Sequence, residues 1–77
     1  MPDESCQAVA SSPALANVRW LELSNNRIGD RGAIALAESP HLTGVQSLDL
    51  RNNQIGRKGR DALARRFGDR AEISPSG

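Results

Sequence analysis

The sequence predicts an α/β solenoid: a short stack of coils with parallel strands on the concave side and α-helices on the convex side. Three observations lead there. Residues 12–43 return at 39–70 with 14 of 32 positions identical, at a constant offset of 27. A fixed period of this length marks coils that stack and share one core. Leu21 and Leu23 alternate with Trp20, Glu22 and Ser24, as Leu48 and Leu50 do with Ser47, Asp49 and Arg51. That alternation is the pattern of a short strand with one buried face. Behind each strand lies a Gly- and Ala-containing stretch, residues 29–37 and again 56–64, with the spacing of a helix laid against the sheet.

Each element follows in order. Asp3 is a natural N-cap, with Pro2 before it, for a first helix running to about Ala10. Aligned one period back, this helix belongs to a coil whose strand is missing. Cys6 falls in the column of Ala33, which favours a small buried residue over a reactive thiol. Ser12-Pro13 and Ser39-Pro40 end successive helices, because the residue before proline is driven out of helical geometry. Leu15 and Leu42 tuck the return loops onto the core. Asn17 and Gly44 share a column, and both residue types tolerate positive φ, so a left-handed residue is expected before each strand.

After each strand an Asn recurs, Asn26 and Asn53, followed by Ile28 and Ile55. A carboxamide both donates and accepts, so it can satisfy backbone groups where the chain leaves the strand. Stacked one period apart, the two should form a short ladder. Glycine within a helix costs roughly 1 kcal/mol relative to alanine, so Gly29-x-x-Gly32 and Gly56-x-x-Gly59 imply close approach between layers. Ile34 shares a column with Gln7 and Asp61 and is expected to face solvent.

The last coil departs from the pattern. Arg60 stands where the earlier columns hold Cys6 and Ala33, Phe67 replaces Pro40, and Gly68 suits a helix C-terminus. These changes read as a cap, with the Arg60 stem on the end face and its head in water. The organisation is then one domain: a helix-side half repeat (1–17), a full repeat (18–44), a capping repeat (45–70) and a tail (71–77). Asp69 to Ile73 can add one more extended segment.

The block Val18-x-x-Leu21-x-Leu23-x-x-Asn26-x-Ile28, repeated as Val45-x-x-Leu48-x-Leu50-x-x-Asn53-x-Ile55, resembles the leucine-rich repeat in its longer, ribonuclease-inhibitor-like form. The resemblance covers about residues 7–67. The ending Arg66-Phe67-Gly68-Asp69-Arg70 is similar to the last repeat of long bacterial arrays of this type. The resemblance implies a non-enzymatic protein-binding module whose outward strand residues, here Trp20, Glu22, Ser24, Ser47, Asp49 and Arg51, form the concave docking face. Leu21, Leu23, Leu48, Leu50, Ile28, Ile55, Asn26 and Asn53 are the structural columns.

Other chemistry finds little material. One Cys and one His cannot build a zinc site of the usual spacing, and His41 lies in a loop column. No nucleophile elbow or phosphate loop occurs, and no cofactor is expected. Glu22 and Asp49 share an outward column, roughly 4.8 Å apart at ordinary strand spacing, and read as a solvated acidic patch. Trp20 is either a binding anchor ringed by polar groups or a cover for the end of the core.

Charge is uneven. Residues 1–50 carry three basic and six acidic side chains, whereas residues 51–77 carry seven basic and three acidic. The basic terminal helix (Arg57, Lys58, Arg60, Arg65, Arg66, then Arg70) offers polyanion or nucleic-acid binding as an alternative, disfavoured by the lack of interleaved aromatics. A second alternative is the capping end of a longer array with no function of its own. No segment has the length and apolarity of a membrane span and no leader pattern is present, so the cytoplasm is the expected location. A 77-residue chain of stacked coils has a small net stability, and the open edge of its first strand offers a route to self-association.

Overall fold

The computed structural model describes residues 3–73, with side chains from Ser5 onward. The elements run α1 (Asp3–Ala10), a 3₁₀ turn (Pro13–Asn17), β1 (Trp20–Glu22), α2 (Asp30–Ala37), β2 (Ser47–Leu50), α3 (Arg57–Phe67), a second 3₁₀ turn (Gly68–Arg70) and β3 (Ala71–Ile73). The strands form one parallel sheet in the order β1-β2-β3. The helices form a second layer, in which α1 packs on α2 and α2 on α3.

The register is the one that the 27-residue period requires. Trp20 pairs with Ser47, Leu21 with Leu48 and Glu22 with Asp49. Because alternate strand residues face opposite sides, this register keeps every leucine on the helix-facing side. Leu48, Leu50, Ile28, Leu36 and Leu63 are fully buried, and Leu23 and Ile55 nearly so. Leu21 is only half-buried, since β1 has no strand on its outer side among the described residues. Leu15, Leu42 and Phe67 close the loops and the final helix over the same core.

Cys6 is fully buried in the helix layer, its Sγ 3.5 Å from the Gly32 carbonyl oxygen. The next pair of helices repeats this close seam. A Cβ added to Gly59 would lie 2.9 Å from Ala33 Cβ and 2.7 Å from Ile55 Cγ2. The glycine columns are therefore where the helices approach one another.

Three expectations are corrected. The left-handed backbone expected at Asn17 and Gly44 does not occur there. The 3₁₀ turn, closed by the Val18 N–H donating to the Leu15 carbonyl, delivers the chain to the strand with ordinary dihedrals. Positive φ falls instead at Asn25 (62°), Arg27 (58°) and Asn52 (58°), just past the strands, and at Gly68 (57°), where α3 ends. Ile34 does not stand clear in solvent. It is half-buried and lines a shallow depression of about 290 Å³ with Gln7, Arg31, Ala35 and Glu38. Residues 71–73 do not belong with the tail, but take up the extended segment expected within Asp69 to Ile73. They form β3, pairing Leu48 with Ala71, Asp49 with Glu72 and Leu50 with Ile73. The proposed cap at Asp3 and the Pro2 before it lie outside the residues whose side chains are described.

Candidate interaction surface

Polar seams between coils hold the strand face in place. The Asn53 carboxamide oxygen accepts from the backbone N–H groups of Asn26 and Ile28, both at 2.9 Å. Its amino group donates to the carbonyls of Leu23 (2.9 Å) and Leu50 (3.0 Å). The asparagine ladder is thus a side chain of one coil bridging to the backbone of the coil before it. Asn26 Nδ2 meanwhile donates to the Ser24 carbonyl.

A second seam runs the other way. Asp30 Oδ1 accepts from the N–H groups of Gly56 (2.7 Å) and Gly59 (3.0 Å), capping α3 from the preceding coil. A carboxylate there satisfies donors that the start of any helix leaves open, and it complements the helix dipole. A third seam closes helix C-termini. The Ser39 hydroxyl donates to the Ala10 carbonyl. One period later, Arg66 donates to the carbonyls of Leu36, Ala37 and Leu42. Sequence reasoning missed Asp30, Ser39 and Arg66 because partners in these seams occupy different columns and never align with each other.

On this scaffold the outward sheet face presents Trp20 and Glu22 from β1 and Ser47 and Asp49 from β2, with Ser24 and Arg51 in the turns just past the two strands. Trp20 is 74% exposed, the large apolar side chain left to solvent among the described residues. It is not among the partly buried side chains packed against the core. Across β1, β2 and β3 the register aligns three carboxylates, Glu22, Asp49 and Glu72. Glu72 was absent from the predicted face, since β3 lies 23 residues after its partner in β2 rather than a full period.

Each carboxylate in this column has local partners. Ser24 donates to Glu22 Oε1 from both its hydroxyl and its backbone N–H. Arg51 grips Asp49 with two guanidinium contacts, Nε to Oδ1 at 3.0 Å and Nη2 to Oδ2 at 2.9 Å, and reaches Glu72 at 3.7 Å. The Ser24 hydroxyl bond, then its backbone N–H, holds the Glu22 carboxyl below its ordinary value, and the Arg51 side chain does the same for Asp49. Both groups are ionised near neutral pH, so neither has the raised value of a general acid. Depressed carboxyls stabilise the fold above their unfolded values and lose that contribution as pH falls through the folded ones. In an NMR titration both should therefore ionise below free Glu and Asp. Ser24→Ala should return Glu22 toward the free value while leaving Asp49 in place. A Glu22 midpoint indifferent to Ser24→Ala would show that the hydroxyl is not its partner.

The basic terminal segment is less available for anions than its composition suggests. Arg66 is committed to the α2 carbonyls, and Arg70 donates to the carbonyls of Phe67, Val45 and Arg66. Both guanidinium groups also lie over the Phe67 ring, at 5.1 and 5.7 Å from its centroid. They act as structural caps. Among the described residues, no group of three or more His, Cys, Asp or Glu side chains is placed to hold a metal ion, and no helix is long and apolar enough to cross a membrane.

The two coils built from these columns coincide with two family matches. The Leucine Rich repeat family profile aligns to residues 14–37 and again to 41–64, starting points one 27-residue period apart. No curated protein and no solved structure matches the chain. The repeated leucine strand, the bridging asparagine and the two profile matches, which together span more than half of the sequence, place this chain in the leucine-rich repeat family.

Proposed function

We propose that the chain is a non-enzymatic protein-interaction module. It binds its partner on the outward, concave face of the sheet, with Trp20 as the anchor and Glu22, Ser24, Ser47, Asp49 and Arg51 as its polar surround. The observation carrying this reading is the 74% exposure of Trp20 on a strand that is paired with β2 along one edge, beside the polar Ser47 and Glu22. A large aromatic held on a rigid element loses little entropy on binding, and such residues dominate interface energetics. Family membership supports the reading, since leucine-rich repeats commonly mediate protein–protein contacts. The ion pairs from Arg51 to Asp49 and Glu72 pre-organise one side of this surface.

Trp20 is the single tryptophan of the chain, so its fluorescence reports on the site directly. Partners recovered by affinity enrichment are titrated against the parent and Trp20→Ala. The expected loss is about 2 kcal/mol or more, about thirtyfold in Kd, with an unchanged melting temperature and a blue-shifted parent emission on binding. Equal affinity for the parent and the folded variant would remove Trp20, and with it this surface, from the reading.

A further inference from the structure

We propose that the cleft at the N-terminal edge of β1 and β2 is a pocket for an acidic side chain of the protein partner, with the Arg19 guanidinium as its principal donor. The inference rests on the reading of the outward sheet face as the docking surface, and it names the chemistry of one group that docks there.

The cleft encloses about 320 Å³ between two coils, lined by Ala16, Asn17 and Arg19 of the first and Gly44 and Gln46 of the second. Its polar side chains are one guanidinium and two carboxamides, with no carboxylate among them. A guanidinium presents its N–H donors in a rigid fork that fits both oxygens of a carboxylate, and carboxamides add further donors. The backbone beneath is braced. The Arg19 carbonyl accepts from the N–H groups of Gln46 (2.7 Å) and Ser47 (3.0 Å), and the Val18 N–H donates to the Leu15 carbonyl (3.1 Å).

The charge of Arg19 is left open to a partner. Among the described residues its side chain has no hydrogen-bond or ion-pair partner. The carboxylates of β1 and β2 are engaged past the opposite end of the strands, Glu22 by Ser24 and Asp49 by Arg51. A single unpaired cation matches a singly charged carboxylate better than a phosphate, which carries about −1.5 to −2. A chain-end carboxylate is typically captured in a nest of backbone N–H groups. Here those of Val18, Gln46 and Ser47 are already donated, and the left-handed residues among those described lie elsewhere, at 25, 27, 52 and 68. Side-chain donors remain, and they suit an acidic side chain. Gly44 gains a role as well. An added Cβ would stand 3.4 Å from the Ala16 carbonyl oxygen, so the fold accommodates alanine there, and the methyl narrows the cleft.

NMR on the full nitrogen-15-labelled chain tests this with three acetylated dipeptides: Phe-Glu amide, Phe-Gln amide, and Phe-Gln with a free C-terminal carboxylate. Phe-Glu amide should shift the Arg19 Nε–H and the carboxamide signals of Asn17 and Gln46, and bind more weakly as salt is added. Phe-Gln amide should leave those signals in place. Arg19→Gln should weaken Phe-Glu binding about tenfold, the size expected for losing one charge-assisted contact. Gly44→Ala, which keeps every donor, should also weaken it at an unchanged melting temperature. Equal Phe-Glu affinity for the parent and Arg19→Gln would overturn the pocket while leaving Trp20 as the anchor. Shifts at Arg19 with none at the Trp20 indole would keep the pocket and remove the anchor. Tighter binding of inorganic phosphate, or of the free C-terminal form, than of Phe-Glu amide would overturn the choice of an acidic side chain.

Discussion

Asn53→Ala should cost about 2–4 kcal/mol, because a backbone group left without its partner costs about 1–3 kcal/mol when buried and this side chain serves several partly buried ones. Its oxygen satisfies the N–H groups of Asn26 and Ile28, and its amino group satisfies the carbonyls of Leu23 and Leu50. A chain of this length seldom has more than about 3–5 kcal/mol of net stability from its core, so the substitution should leave much of the population unfolded at room temperature. Circular dichroism during a urea titration reads this directly. Asn53→Asp separates the two halves of the bridge, since a carboxylate still accepts but no longer donates. It should fall between the parent and alanine. An alanine variant that melts with the parent would show that water replaces the bridge at no cost.

The second large effect concerns Gly59, and its sign is the informative part. In an isolated helix, glycine to alanine is favourable by about 1 kcal/mol. Here the new methyl would stand 2.7 Å from Ile55 Cγ2, 2.8 Å from Asp30 Oδ1 and 2.9 Å from Ala33 Cβ. Ala33 belongs to the facing helix and cannot give way unless α2 and α3 separate, and overpacking of this kind costs about 1–3 kcal/mol. Separation would also draw the Asp30 carboxylate from the Gly56 and Gly59 N–H groups that it caps. Gly59→Ala is therefore expected to lower the melting temperature despite its better helix propensity. Adding Ala33→Gly should recover part of the loss by vacating the space that the methyl needs. A more stable Gly59→Ala variant would mean that the helix layer is looser than the seam distances indicate.

Much of the architecture was legible because a solenoid writes its contacts into columns. The paired leucines, the Asn26 and Asn53 column, the glycine seam and the buried Cys6 all follow from one rule: equivalent positions stack. The strand positions of Trp20, Glu22, Ser47 and Asp49 follow from the same rule combined with alternation. Two of the left-handed positions were also written in the sequence, as identical asparagines at 25 and 52, but the Asn17/Gly44 column drew the inference instead. Asparagine and glycine tolerate positive φ without demanding it. At Gly44 a Cβ would meet the Ala16 carbonyl oxygen at an ordinary 3.4 Å, so neither dihedral nor space explains that glycine.

The one-dimensional pattern was enough to establish the period, the sidedness of β1 and β2 and the family, because burial recurs with the geometry of each element. The cross-bracing between coils was settled by folding alone. Asp30 reaches forward to Gly56 and Gly59, while Arg66 reaches back to Leu36, Ala37 and Leu42, and each pair joins unlike residues at an offset other than the repeat period. Glu72 joined the carboxylate column in the same way, through a strand that arrives four residues early. A period exposes contacts between equivalents. Polar groups choose partners by complementary chemistry and distance, and distances exist only once the coils have stacked.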